Sequence, residues 1–133
     1  GSIEILGEEG RVVRHWPSDL CLYFKGRLFL QAPHPGFLVK REVLQKMKNP
    51  FNLRYRLAAD LDLMLKLFYQ DLRFKFSSEV VTLMYLGGAS TVSPTARIQG
   101  LRESLIIYWQ YFWIFSPILL TLRIISKLAK YRW

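Results

Sequence analysis

Phe51-Asn52-Leu53-Arg54-Tyr55-Arg56-Leu57-Ala58-Ala59-Asp60-Leu61-Asp62-Leu63-Met64-Leu65 carries the clearest structural signal in the chain. Leu61, Met64, Leu65 and Phe68 recur at i, i+3, i+4 and i+7. This single apolar stripe predicts a helix from Ala58 to Tyr69. Asp60 and Asp62 stand in its first turn, where the helix dipole favours negative charge. The preceding run, Phe51 to Leu57, reads as a loop rich in arginine and tyrosine.

Upstream, Ser2 to Leu6 and Arg11 to Arg14 read as two strands of a hairpin around Gly7-Glu8-Glu9-Gly10, ended by Trp16-Pro17. Ser18 to Leu30 is ambiguous: Leu20, Tyr23, Phe24 and Arg27 suit a helix with Ser18 or Asp19 as cap. Pro33-His34-Pro35-Gly36 predicts an extended, non-helical segment, followed by a buried strand at Phe37-Leu38-Val39. A short helix over Arg41 to Met47 is broken by Lys48-Asn49-Pro50. Downstream, Arg73 to Phe76 alternates like a strand and Val80 to Leu86 reads as another. Gly87-Gly88-Ala89-Ser90 forms a loop, and the chain is helical from Thr95. The order β-β-α-β-α-α-β-β-α describes a mixed α/β fold.

At 133 residues, 51% of them hydrophobic and 22% charged, the chain is no disordered tail and can pack one modest domain or part of a larger one. Cys21 is the single cysteine, so no intrachain disulfide can form. Two histidines and one cysteine do not by themselves make a closed zinc site. The formal charge is +9, and the stretch from Arg97 to Trp133 holds six basic residues against one acid, Glu103. Basic residues interleaved with aromatics suit an anionic surface, but no nucleic-acid-binding motif accompanies them.

Residues 1–93 therefore read as an α/β unit and residues 94–133 as a helical segment. Leu105 to Leu122 runs 18 residues without a charge, the lower limit for a spanning helix, and contains Gln110, Ser116, Pro117 and Thr121. Beyond Pro117 the pattern changes: Ser116, Arg123, Lys127 and Lys130 share one face at helical spacing, and Ile118, Leu119, Leu122, Ile125 and Ala129 lie elsewhere. The preferred reading is two helical pieces hinged near Pro117 and lying in the interface of an anionic membrane leaflet. A helix packed on a protein core and a single membrane span are the alternatives.

Asp60, at a helix N-terminus after small residues, can take a proton from a hydroxyl nucleophile, although an ordinary N-cap aspartate explains the same pattern. His34, held between two prolines, can orient a substrate or bind phosphate, or stand idle in a turn. Arg54 and Arg56 suit phosphate oxygens, or a solvated loop. Gly87, Gly88 and Ser90 can offer backbone N–H groups to an anion, or simply turn the chain. No Walker loop, GxGxxG, GxSxG or HExxH occurs.

The string from Pro33 to Val43, the Phe51–Leu65 stretch and the Leu86-Gly87-Gly88-Ala89-Ser90 loop, in this order and spacing, resemble the second half of family 2 glycosyltransferases of the GT-A fold. The opening strand and Gly10-Arg11-Val12-Val13 resemble the hairpin that follows that family's nucleotide-binding half, so the likeness spans Gly1 to Ser90. It implies a partial GT-A mixed sheet with flanking helices, and a C-terminal fragment inactive without its donor half. It implies Asp60 as general base toward an acceptor hydroxyl that attacks a nucleotide-activated sugar with inversion. His34, Arg54 and Arg56 would flank the pocket, and Gly87, Gly88 and Ser90 would close over it. Mg²⁺ or Mn²⁺ is expected in the complete enzyme, held by an Asp-x-Asp motif of the other half; Asp60-Leu61-Asp62 has that spelling but belongs to the later helix. Many members carry Gly-Gly-Phe-Asp where this chain has Asn49-Pro50-Phe51-Asn52, which bears on acceptor preference. The implied partners are a nucleotide-sugar donor, a sugar or lipid-linked acceptor and an anionic membrane, with no nucleic acid. The implied place is the cytoplasmic face of the cell membrane, in polysaccharide or glycolipid synthesis. A non-enzymatic, membrane-associated interaction module is the alternative.

Overall fold

The computed structural model describes residues 1–18, 23–24, 27–28, 33–85, 93–112, 117–118, 120–121 and 124–125. The order is β1 (Ser2–Leu6), β2 (Val12–Trp16), β3 (Tyr23–Phe24), β4 (Arg27–Leu28), a 3₁₀ turn (His34–Gly36), α1 (Arg41–Gln45), α2 (Ala59–Phe68), β5 (Val80–Tyr85) and α3 (Pro94–Phe112). The molecule is mixed α/β, as the sequence predicts.

The hairpin forms where expected. Ile3 pairs with Trp16 and Ile5 with Arg14, antiparallel, and Gly10 takes the positive φ of 71° that closes the turn. Strand β5 adds to the other side of β1 in parallel, Ile3 beside Thr82 and Ile5 beside Met84. The sheet order is thus β2-β1-β5, with β1 central. Cross-strand partners share a face, so Trp16, Arg14, Ile3, Ile5, Thr82 and Met84 line one side of the sheet. The 3₁₀ turn sits on that side. Thr82 Oγ1 donates to the Pro35 carbonyl at 2.9 Å, and the Gly1 amino group donates to the Gly36 carbonyl at 2.7 Å. A β-carbon at Gly36 would collide with the Gly1 carbonyl and crowd Ile3, which explains glycine there. On the opposite side Leu83 and Tyr85 are 60% and 70% exposed.

Helix α2 is the centre of the core, and its apolar stripe divides between two neighbours. Leu61 and Leu65 pack with Tyr55, Ala58 and with Ile107 and Tyr108 of α3. Met64 and Phe68 pack with Phe37 and Phe74, the last stacked on Phe68 at 4.2 Å between centroids. Ser93 Oγ accepts the Ala96 N–H at 3.1 Å and caps α3, and Pro94 opens it.

Several local expectations are corrected. His34–Gly36 is a 3₁₀ turn rather than extended chain, because proline's fixed φ also suits the first position of a helical turn. Phe37-Leu38-Val39 is not a strand: the Phe37 N–H closes the turn on the His34 carbonyl, and Leu38 is exposed. Arg73 to Phe76 keeps its alternation, with Phe74 and Phe76 inward of Arg73 and Lys75, but has no ladder. Within Ser18 to Leu30, Tyr23–Phe24 and Arg27–Leu28 form an antiparallel pair where a helix is expected, and the other residues from 19 to 30 lie outside the described residues.

The C-terminal reading changes most. Ile107 and Tyr108, inside the charge-free stretch, are wholly buried against α2. Among the described residues, no helix is long and apolar enough to cross a membrane. Helix α3, which opens the segment assigned to membrane association, is therefore a core helix on its inner side. Arg123, Lys127, Lys130 and Arg132 lie outside the described residues, as does Ser116 beside the expected hinge.

Candidate functional site

The sheet and α2 bring two of the predicted site residues together. His34 projects from the 3₁₀ turn anchored on β1 and β5, and its Nδ1 lies 3.1 Å from Asp60 Oδ2. Both side chains are partly open, at 48% and 30% exposure. The second carboxylate oxygen, Oδ1, accepts the Leu61 N–H at 2.8 Å. Asp60 is not the N-cap of α2. That position is Ala58, with non-helical φ −126° and ψ 20° and no side-chain cap of its own. Asp60 instead stands second in the helix, held by its own first turn on one oxygen and by an imidazole on the other.

Two residues that sequence reasoning passed over join this cluster. The Trp16 ring meets His34 edge-on, with centroids 6.4 Å apart, and the Arg14 guanidinium carbon lies 5.2 Å from the Trp16 centroid. Arg14 and Trp16 are alternate residues of β2 on the face that carries the 3₁₀ turn. Strand alternation was the signal that could have picked them out.

A third residue was missed. Glu103 of α3 accepts the backbone N–H groups of Leu57 at 2.8 Å and Ala58 at 3.0 Å on Oε2, and Gln99 Nε2 at 2.9 Å on Oε1. Burial pushes its carboxyl up, but hydrogen bonds from the Leu57 backbone, Gln99 and the Arg56 and Ala58 backbones outweigh this and hold it below the ordinary glutamate value. Its signal was a lone acid in a basic, apolar helix.

Arg54 and Arg56 are exposed on either side of buried Tyr55, whose hydroxyl donates to Gln110 Oε1 at 3.2 Å. Tyr55 anchors the loop and turns both arginines outward. Among the described residues no hydrogen bond or ion pair joins either guanidinium to His34 or Asp60. Gly87, Gly88 and Ser90 lie outside the described residues. Asn49, Pro50, Phe51, Asn52, Leu53 and Lys66 line a separate open hollow of ≈ 610 Å³ that includes neither His34 nor Asp60.

Asp62 has a different task from Asp60. It is buried, its Oδ2 is 2.8 Å from Lys66 Nζ in an ion pair not aligned as a hydrogen bond, and Tyr111 Oη donates to Oδ1 at 3.4 Å. Burial, and then the Asp62 charge, push the Tyr111 hydroxyl well above its ordinary value. This set ties α2 to α3 inside the protein. Among the described residues no group of three or more His, Cys, Asp or Glu side chains is placed to hold a metal ion. The Asp60–His34 pair offers one carboxylate and one imidazole, and the Mg²⁺ or Mn²⁺ implied by the resemblance is expected on the Asp-x-Asp of the other half.

Comparison with protein-family models, with curated proteins and with solved structures gives no match for this chain.

Proposed function

We propose that the chain is the acceptor-side half of an inverting glycosyltransferase of the family 2, GT-A type. The observation that carries this reading is the His34–Asp60 contact: the two residues that the resemblance puts at the site, distant in sequence, meet at 3.1 Å. In the proposed reaction, Asp60 takes the proton of an acceptor hydroxyl. The oxygen then bonds to the anomeric carbon of a nucleotide-activated sugar, and the bond from that carbon to the nucleoside diphosphate breaks with inversion. His34, on Oδ2, fixes the carboxylate's direction. Trp16 presents an aromatic surface beside the pair, of the kind that sugars pack against. The donor nucleotide, and any Mg²⁺ or Mn²⁺ with it, belongs to the other half of such an enzyme, and no step here runs through a metal.

The sheet supports a missing neighbour. β5 ends the sheet with Leu83 and Tyr85 exposed, whereas a parallel pair such as β1 and β5 is ordinarily covered on both faces. Ile98, Leu101, Leu105, Ile106 and Trp109 form an exposed apolar side of α3. With the basic residues that follow in sequence, this side suits a peripheral seat on the cytoplasmic face of an anionic membrane, near a lipid-linked acceptor. The same side supports the second reading, a non-enzymatic membrane-associated module.

The test is an assay of the complete reading frame that contains this chain. Nucleoside diphosphate release from a panel of nucleotide sugars, dependent on an Asp-x-Asp upstream of Gly1, supports the enzyme. A reading frame without such a half contradicts it and leaves the module. Vesicles with anionic lipid test the seat separately: Ile106→Glu with Trp109→Glu should abolish binding, and unchanged binding removes the seat from the account.

A further inference from the structure

Helix α2 begins without a cap of its own. Ala58 stands at the N-cap and contributes no acceptor, yet its N–H is buried and cannot turn to water. The acceptor comes from another helix. Glu103 Oε2 receives both the Leu57 and the Ala58 N–H, and Gln99 holds the remaining oxygen from one turn earlier in α3. Glu103 is only 7% exposed, on the same inner side of α3 as Ile107 and Tyr108. An acid in such a place is retained only where its hydrogen bonds offset desolvation.

Two residues beyond Ala58 is Asp60. The Ala58 carbonyl accepts the first α2 hydrogen bond, from Asp62 N–H at 3.2 Å, so the orientation of the Leu57–Ala58 backbone sets where the helix starts. It thereby sets the direction in which the Asp60 carboxylate leaves the first turn toward His34. We infer that Glu103 is a positioning residue: by gripping the Leu57 and Ala58 amides from α3, it aims Asp60 at His34. The inference rests on the proposed site for its importance, but the geometry it asserts involves no sugar chemistry.

The grip and the aim have separate readouts. Amide exchange followed by mass spectrometry in the 133-residue chain reports the grip. Glu103→Ala should speed exchange at Leu57 and Ala58 by about tenfold or more, and Glu103→Gln by less, since a neutral amide accepts more weakly than a carboxylate. The ¹⁵N shifts of His34 at pH 9, far below the unfolding temperature, report the aim (a solid-state spectrum serves if the chain associates). In the wild type the contact with Asp60 holds the proton on Nδ1. Glu103→Ala should move it to Nε2, as should Asp60→Ala, and Glu103→Gln should keep it on Nδ1. A role in stability alone leaves the tautomer of the folded chain unchanged, so a wild-type His34 spectrum in folded Glu103→Ala overturns the inference. If Glu103→Ala does not fold, Glu103→Gln decides: exchange at Leu57 and Ala58 equal to wild type overturns the grip. A failed sugar-transfer assay with these shifts intact would remove the proposed function and leave the positioning in place.

Discussion

His34 Nδ1 and Asp60 Oδ2 face each other at 3.1 Å across the junction between the sheet-anchored turn and the start of α2. Each side chain is held from a different direction, His34 by the turn that Thr82 and the Gly1 amino group fix, Asp60 by the first turn of its helix. Neither is in the core. His34→Ala should therefore change stability by no more than about 0.5 kcal/mol, as exposed pairs generally do. If the proposed transferase reading holds, His34→Ala in the complete reading frame should lower turnover by about 10- to 100-fold, the scale on which misaligning a general base acts. Thermal melts beside turnover measurements check both; a large loss of stability would show that the pair is structural.

The inner side of α3 makes a prediction that separates a core helix from an interfacial one. Ile107 is fully buried among Tyr55, Ala58, Leu61 and Leu65. Ile107→Ala should cost about 2–5 kcal/mol through lost burial and an unfilled cavity. Trp109→Ala, on the exposed side, should cost less than about 1 kcal/mol. Equal effects in chemical denaturation would contradict the packing of α3 on α2.

Stability should depend on pH at both ends. The Glu103 carboxyl is held below its ordinary value of 4.5, so the unfolded chain takes up the proton first as pH falls. The stability it contributes is complete above 4.5 and is lost as pH drops through the lower folded value. Tyr111 behaves in the opposite sense. Raised above its ordinary 10.0, it contributes fully below that pH and its contribution is lost as pH rises beyond it. Denaturant midpoints across the pH range should show Glu103→Gln flattening the acid limb and Tyr111→Phe the alkaline one.

Elements with a local cause were legible. The i, i+3, i+4, i+7 stripe of α2 and the Gly7–Gly10 turn each state their structure within a few residues, and the helix expected from Thr95 begins one residue earlier, at Pro94, capped by Ser93. Phe37 and Phe74 were misread as strand residues because apolar character says only that a side chain is buried; both pack on Phe68 instead of joining a ladder. Of the candidate site, the sequence singles out two members and passes over three. Asp60 and His34 stood out from helix position and proline flanks, while Arg14, Trp16 and Glu103 reach it through strand pairing and helix packing that link distant parts of the chain. Periodicity in Leu105 to Leu122 showed an apolar helix but not its surroundings. Core and membrane place the same demand on Ile107, and only the position of α2 decides between them.

The most direct test of the proposed function is Asp60→Asn in the complete reading frame, read as turnover of a nucleotide sugar beside the thermal midpoint. If Asp60 is the base, turnover falls by about 10²–10⁴-fold, the usual contribution of a positioned base, and the midpoint stays where it was. Wild-type turnover in that variant would contradict the assignment.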